Sequence, residues 1–291
     1  MKESVRKLVD RLRGRVARHS VAPKSEPPTE PSLPFVTNGR EFKSGLTVFD
    51  DRPLRFRSLT MAEEGITGLE EPGAEQSAFK IRVATKHAGF RQAAGTLIDK
   101  RYGDRGYTTK SQQQRDPHLF SFVAYDEGKL VGTVSIRFDS EKGLSADELY
   151  KDEIDVLRKE GCKVCEFTRL AVDELTVSKP VLAGLFHTTY LYAAAVHGYN
   201  FAVIEVNPRH VGFYRRALSF EPIGAERMNQ RVHAPAVLLC AAFDTIAEGL
   251  KKYGGRHLEF PKERSLFPYG FSPQEEVGIL QRLKDLDARP E

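Results

Sequence analysis

The run Lys179–Tyr199, KPVLAGLFHTTYLYAAAVHGY, leaves the fold little freedom. It is too long for a strand and apolar nearly all round, so it reads as a helix buried on most sides. Short apolar stretches of strand character flank it, KVCEFTRLAVD at 163–173 and FAVIEV at 201–206. A strand, a buried helix and a second strand form a crossover unit, which places the two strands in one sheet with the helix packed on its face. The longest apolar run, Val181–Val196, is broken by His187, Thr188 and Thr189. It is too short and too polar to span a bilayer.

The elements before and after this unit extend the sheet. FKIRVAT (79–85) reads as a strand and is followed by helical sequence to about Arg101. Phe120–Phe138 reads as two strands around Asp-Glu-Gly-Lys, a hairpin signal. SADELYKDEIDVLRKEG reads as a surface helix with Ser145 and Glu148 spaced as a capping box. A last strand is expected at AVLLCAAF, and a tail helix at Ser272, with Pro273 in its first turn and Glu275 three residues beyond Ser272. The fold class is therefore α/β, with a largely antiparallel first half and a crossover in the second.

Three regions divide the chain. Residues 1–75 hold an extension that opens with MKESVRKLVDRLRGRVARHS, where seven Lys/Arg stand against two acids. Val5, Leu8, Val9, Leu12 and Val16 form one apolar stripe, so residues 1–20 read as a basic amphipathic helix. Such a helix suits an anionic membrane or an acidic protein; equally, it is a solvated helix with no specific role. APKSEPPTEPSLP (22–34), with five prolines, reads as an extended linker. Within residues 35–75, LTVF and LRFRSL have strand character. A globular domain is expected over 76–255, and a tail with a short helix over 256–291.

Several chemistries are absent as motifs. The sequence has no G-x-S-x-G, P-loop, G-x-G-x-x-G or H-E-x-x-H. Cys162 and Cys165 form a lone CxxC with no second pair at zinc-ligand spacing, so they read as core thiols on opposite faces of a strand, and no metal site is expected. A net charge of +4 does not by itself call for a nucleic-acid partner. Three cysteines and the lack of a signal-type apolar N-terminus fit a cytoplasmic location.

Two places carry candidate chemistry. In CEFTRLAVDE, Glu166 stands inside an apolar strand, and a buried charge requires a partner. Arg169, three residues on, faces the opposite way in a regular strand; a bulge would turn both toward one cleft. The pair equally reads as an ion pair that positions the strand. In FAVIEVNPRHVGFYRRALSFEPIG (201–224), a strand ends at Asn207 and a Pro-started helix carries Tyr214, giving a polar site at a sheet edge.

EFTRLAVD, the buried helix, AVIEVN and PRHVGFYRRALSFEPIG together resemble the second half of a GNAT-fold acyltransferase. More narrowly, residues 79–245 resemble the N-acyl amino acid synthases, GNAT-fold relatives of the acyl-homoserine lactone autoinducer synthases, through RYGDRGY, EFTRLAVD, NPRHVGFYRR and HAPAVLL. The resemblance implies a mixed central sheet with flanking helices, and transfer of a fatty acyl group to the α-amine of an amino acid. It also implies acyl-phosphopantetheine of an acyl carrier protein as donor, with no tightly bound cofactor. DELTVSKPVLAG (173–184) agrees with that donor, because it lacks the paired glycines that cradle the CoA pyrophosphate at a helix start. In this reading Glu166 is the base. Arg169, or Arg101 and Arg105 with Tyr107 in KRYGDRGYTT, binds the acceptor carboxylate, and Asn207 and His210 line the pantetheine path. Tyr214 protonates the leaving thiolate, the role that a Tyr takes at this place in many GNAT enzymes. Core packing for Tyr214 and helix capping for Asn207 are the competing readings. A CoA-dependent N-acetyltransferase and a non-catalytic module binding carrier protein or membrane are the alternative functions. A water-insoluble product gives the basic N-terminus a reason to sit peripherally at the inner membrane.

Overall fold

The computed structural model describes residues 47–51, 79–84, 88–104, 116–126, 128–173 and 177–288, together with Asp10. The expected basic helix (apart from Asp10), the Pro-rich linker and LRFRSL lie outside the described residues.

Strand β1 (Thr47–Asp51) pairs antiparallel with β2 (Phe79–Val83). Helix α1 (Ala88–Gly103) follows, then the hairpin of β3 (Leu119–Asp126) and β4 (Lys129–Phe138) expected from the sequence. Helix α2 (Asp147–Lys159) leads into β5 (Val164–Val172). The crossover helix α3 (Lys179–Leu191) runs on into a π turn at Tyr192–Val196 and then into β6 (Phe201–Val206). A 3₁₀ turn (Pro208–His210), α4 (Val211–Leu218), β7 (Glu221–Pro222), β8 (Arg227–Asn229) and β9 (Ala234–Ala242) complete the sheet. Its order is β1-β2-β3-β4-β5-β6-β9-β7, with β8 paired to β9. Among the described residues only β5 and β6 run parallel; the other paired strands are antiparallel.

The sheet separates two apolar layers. On one face, Tyr150, Ile154 and Leu157 of α2 pack on Val164, Val203 and Leu238. On the other, α3 packs on Phe79, Ile81, Phe122, Ile136 and Phe167. Close approach of α3 depends on two glycines: a Cβ at Gly132 would stand 2.9 Å from Leu185, and one at Gly184 would stand 3.0 Å from Ile81. Because the strand side chains alternate, Cys165 falls in the α3 layer, while Cys162 packs with α2, the opposite-face placement expected of core thiols.

The outer side of α3 is covered by the C-terminal residues, which explains why it is apolar all round. Helix α5 (Phe243–Tyr253), a 3₁₀ turn (Phe267–Tyr269) and α6 (Pro273–Asp287) add Ile246, Leu266, Phe267, Phe271, Ile279 and Leu283 to the same core. Helix α6 begins with the expected capping box of Ser272 and Glu275. On α2 the expected capping box does not form: Ala146 is the N-cap, without a side-chain cap, and the backbone N–H groups of Ser145 and Ala146 turn to Glu166.

Tyr150 fixes the α2 layer to the far edge of the sheet. It is wholly buried, and its hydroxyl lies 2.6 Å from the Ala236 carbonyl oxygen and 3.0 Å from that of Ala225. Burial pushes this phenol up to about 12, so it remains a donor. Replacing Tyr150 with Phe removes the donor and keeps the ring. The expected cost is about 1–2 kcal/mol, read as a melting temperature lowered by roughly 2–8 °C in a thermal scan.

Candidate functional site

The site begins where two strands part. β5 and β6 pair only at Val164–Phe201, Cys165–Ala202 and Glu166–Val203. Beyond that point β5 stays with β4 and β6 stays with β9, so the backbone edges that face each other are released. A bulge accompanies the parting. Thr133 and Ser135 of β4 oppose Ala171 and Thr168, which leaves Arg169 and Leu170 against a single β4 residue. Arg169 takes φ = 52°, the left-handed conformation. A bulge is the condition under which Glu166 and Arg169 can face one cleft. The two side chains feel each other's charge without forming an ion pair.

Glu166 is buried, 3 % exposed, on the α2 face. Its Oε2 accepts the N–H of Ser145 at 2.6 Å and that of Ala146 at 3.4 Å. Burial pushes the carboxyl up to about 7, against the pull of the Ser145 N–H, the Arg137 charge and the Ala146 N–H. Arg137 stands directly opposite Glu166 in the β4–β5 register and pairs with Asp116 at 2.6 Å. Asp116 titrates below its ordinary range: burial raises it, but the His118 N–H and Arg137 outweigh that.

Arg169 is a largely buried cation, and burial, then the charge of Arg137, lowers its pKa. No carboxylate among the described residues pairs with it. A guanidinium held this way suits a carboxylate brought by a ligand. Tyr102 of α1 contributes to its surroundings, so the C-terminal end of α1 lies over the bulge.

The sequence analysis missed Glu205. It lies on the same face as Val203, two residues past the last β5–β6 pair, and so stands across the opening from Glu166. Its Oε1 accepts from Asn229, its Oε2 stands 3.7 Å from Arg231, and burial raises its pKa. A charge inside the apolar run FAVIEV is the signal that would have found it, the one used for Glu166. Two carboxylates with raised pKa values at one opening can share and pass a proton.

The other candidates are dispersed. Arg101, at the end of α1, pairs with Asp173 at 2.5 Å and ties that helix to the end of β5. Arg105 and Tyr107 lie outside the described residues. The Asn207 side chain accepts the Arg209 N–H at 3.2 Å as a cap, and His210 accepts from Arg209 Nε at 3.1 Å. Tyr214 lies on the α3 face, its ring edge-on to Phe186 and Phe220, and Phe220 in turn meets Phe167.

These aromatic rings open onto an apolar pocket. Phe167, Ala183, Phe186, Leu218 and Phe220 form one side of a small recess that opens to solvent, with His187 and Tyr190 also on its wall. Phe167 follows Glu166 directly, so the polar opening and the apolar pocket lie on opposite faces of the sheet at one point of β5. The start of α3 has little to offer an anion. Ser178 is buried and caps it by accepting the Val181 N–H at 3.3 Å, and Pro180 has no N–H.

Comparison with known proteins agrees with this architecture. The family model of the N-acyl amino acid synthase FeeM matches residues 93–242, just over half of the chain. The solved structure of FeeM, an N-acyl amino acid synthase from uncultured soil microbes, superposes with a TM-score of 0.54 at 27 % identity, covering 58 % of this chain and 94 % of that one. Aminoglycoside 6'-acetyltransferase type Ii matches with a TM-score of 0.39 at 14 % identity, covering 55 % of this chain and 93 % of its own. Escherichia coli ElaA matches with 0.41 at 12 %, covering 57 % and 99 %. No curated protein matches the chain. With the parted β5–β6 pair, the bulge and the crossover helix in place, the chain is an acyltransferase of the GNAT fold and belongs to the N-acyl amino acid synthase FeeM family.

Proposed function

We propose that the protein moves a fatty acyl group from the thioester of an acyl carrier protein to the α-amine of an amino acid. The observation that carries this reading is the parting of β5 and β6 beyond Glu166 and Val203, with buried carboxylates on one face and an apolar pocket on the other. A thioester seated in the gap reaches both. The ammonium of the acceptor loses a proton to Glu166, directly or through a water, and Glu205 shares the proton load. The free amine attacks the thioester carbon. Backbone N–H groups on the released edges stabilise the oxyanion. Collapse breaks the C–S bond, Tyr214 protonates the departing thiolate, and the phenolate so formed takes the second proton of the attacking nitrogen as the amide forms. Arg169 holds the acceptor carboxylate, while the pocket takes the acyl chain.

The self-capped start of α3 supports a carrier-protein donor, which brings the phosphopantetheine arm without the pyrophosphate of free CoA. The basic stripe of residues 1–20 suits an acidic carrier protein or an anionic membrane surface. Among the described residues no helix is long and apolar enough to cross a membrane.

Three outcomes are expected. Glu166→Gln keeps an acceptor for the Ser145 N–H but loses the base, so turnover falls about 10²–10⁴-fold. Wild-type kcat/KM should rise with pH through about 7, as the carboxyl raised by burial ionises, and the variant should lose that limb. Stability runs the other way. A carboxyl raised from 4.5 to about 7 in the folded state stabilises below 4.5 and loses that contribution as pH rises to about 7, so Glu166→Gln should flatten the loss. A folded variant with near wild-type turnover would remove Glu166 from the mechanism.

Arg169→Gly relaxes the left-handed residue and deletes the guanidinium. It should keep or improve thermal stability while raising KM for the amino acid about 10–100-fold, the worth of a charge-assisted hydrogen bond. An unchanged KM would assign Arg169 to the bulge alone. Finally, acyl carrier protein thioesters should exceed matched acyl-CoA in kcat/KM when both are assayed with the same amino acid. Equal values would return CoA as the donor.

A further inference from the structure

Arg137 does more at the opening than face Glu166. Its side chain is mostly buried and stands on the same sheet face as Glu166, its opposite number in the β4–β5 register. Further along the two strands Ser135 opposes Thr168, and the bulge at Arg169 follows directly. The two arginines are close enough that the charge of Arg137 ranks next to burial among the influences on Arg169, which also feels Asp116. Arg137 commits Nη1 to Asp116 at 2.6 Å, while its Nε is buried with no hydrogen-bond partner among the described residues. Asp116 is itself fixed, because its other oxygen accepts the His118 N–H at 3.0 Å. Glu166 turns its Oε2 to the Ser145 and Ala146 N–H groups instead. Among the described residues Asp116 is therefore the one carboxylate that pairs with either guanidinium. Buried donors and a buried cation left in this state call for a further acceptor.

We infer that Arg137 and Arg169 form a two-guanidinium clamp for the carboxylate of the acceptor, with Arg137 aimed by Asp116. The inference rests on the proposed function, which gives that carboxylate to Arg169 alone, and it fixes the acceptor class. The site selects a free α-carboxylate and rejects amino-acid amides, esters and plain amines. A carboxylate offers about four lone-pair positions, enough for both guanidiniums. An amide offers one oxygen, turns an NH₂ group toward the cations and neutralises neither, and a site built on buried polar groups discriminates strongly against such an analogue. The placement also orders the reaction. Arg137 stands directly across from Glu166, so a carboxylate held between the arginines keeps the neighbouring amine beside the base.

The test is a ratio. Loss of Arg137 also removes a charge that holds the Glu166 carboxyl down, and that effect falls on every acceptor alike. Binding of the standard amino acids and of their primary amides is measured by calorimetry without a donor. Those that yield product are then compared, acid against amide, in kcat/KM with a carrier-protein thioester at one pH. Wild type should favour acid over amide by about 10²–10⁴-fold, the worth of two charge-assisted contacts. Arg137→Gln should cut that preference about 10–100-fold. Arg137→Lys, which keeps the charge and loses the fork, should cut it less. If Arg137→Gln unfolds, the double variant Asp116→Asn, Arg137→Gln leaves no unpaired carboxylate and should show the same loss. A wild type without the acid preference overturns the clamp. A folded variant with the wild-type ratio removes Arg137 from it, whatever the change in overall rate. Failure to form any N-acyl amino acid, with the binding preference present in wild type and lost in the variants, would instead strike the proposed function and leave the clamp standing.

Discussion

Three backbone pairs hold β5 to β6, and then the hydrogen bonding stops. In a sheet interior this is costly, because every buried N–H and C=O must find a partner. Here the cost is confined to one place. β5 remains bonded to β4 on its outer side and β6 to β9, so only the facing edges are released. The crossover helix makes the arrangement durable. It connects the two strands, lies on their α3 face and is buried between the sheet and the C-terminal helices. Both strands are thus braced on the sides away from the gap, which is the preorganisation that an oxyanion site needs in the proposed function.

The same point concentrates unfavourable features that the rest of the fold must outweigh. Glu166 is desolvated, Arg169 is desolvated and in a left-handed conformation, and Glu205 keeps one oxygen without a hydrogen bond among the described residues. Strain and buried charge of this kind persist only where the surroundings over-determine them. The surroundings are Arg137 opposite Glu166, the Ser145 and Ala146 amides, and a fully buried α2 layer locked by Tyr150. In the proposed function an amino acid supplies what these groups lack: a carboxylate for Arg169 and an ammonium proton for the carboxylates.

How much of this could be read in the sequence depended on whether the cause was local. The strands, the hairpin, the α6 capping box and the buried crossover helix follow from periodicity and turn residues within a few positions. The bulge was legible because Glu166 and Arg169 could share a cleft only if β5 were irregular. Long-range partners were not. Ser145 looked like the cap of its own helix, yet its N–H is taken by a carboxylate 21 residues away. Glu205 carried the same local signal as Glu166, a charge inside an apolar run, but only the register placed the two across one opening. Helix α5 was unrecognised, and the C-terminal residues read as a tail because the core they join lies about a hundred residues earlier, on β5 and α3.

The division of the site by the sheet bears on the chemistry itself. Glu166 and Glu205 sit on the α2 face, where the proposed function handles the polar head, and the aromatic lining sits on the α3 face. A thioester has both requirements in one molecule, with its carbonyl at the junction. A gap between two strands meets them without a channel through the core, since the backbone spacing already separates the faces. The apolar side can then be remodelled by residues outside the sheet without moving Glu166, Glu205 or Arg169. In the proposed function the chemistry depends on where the backbone of these two strands parts, and the crossover helix holds that point in place.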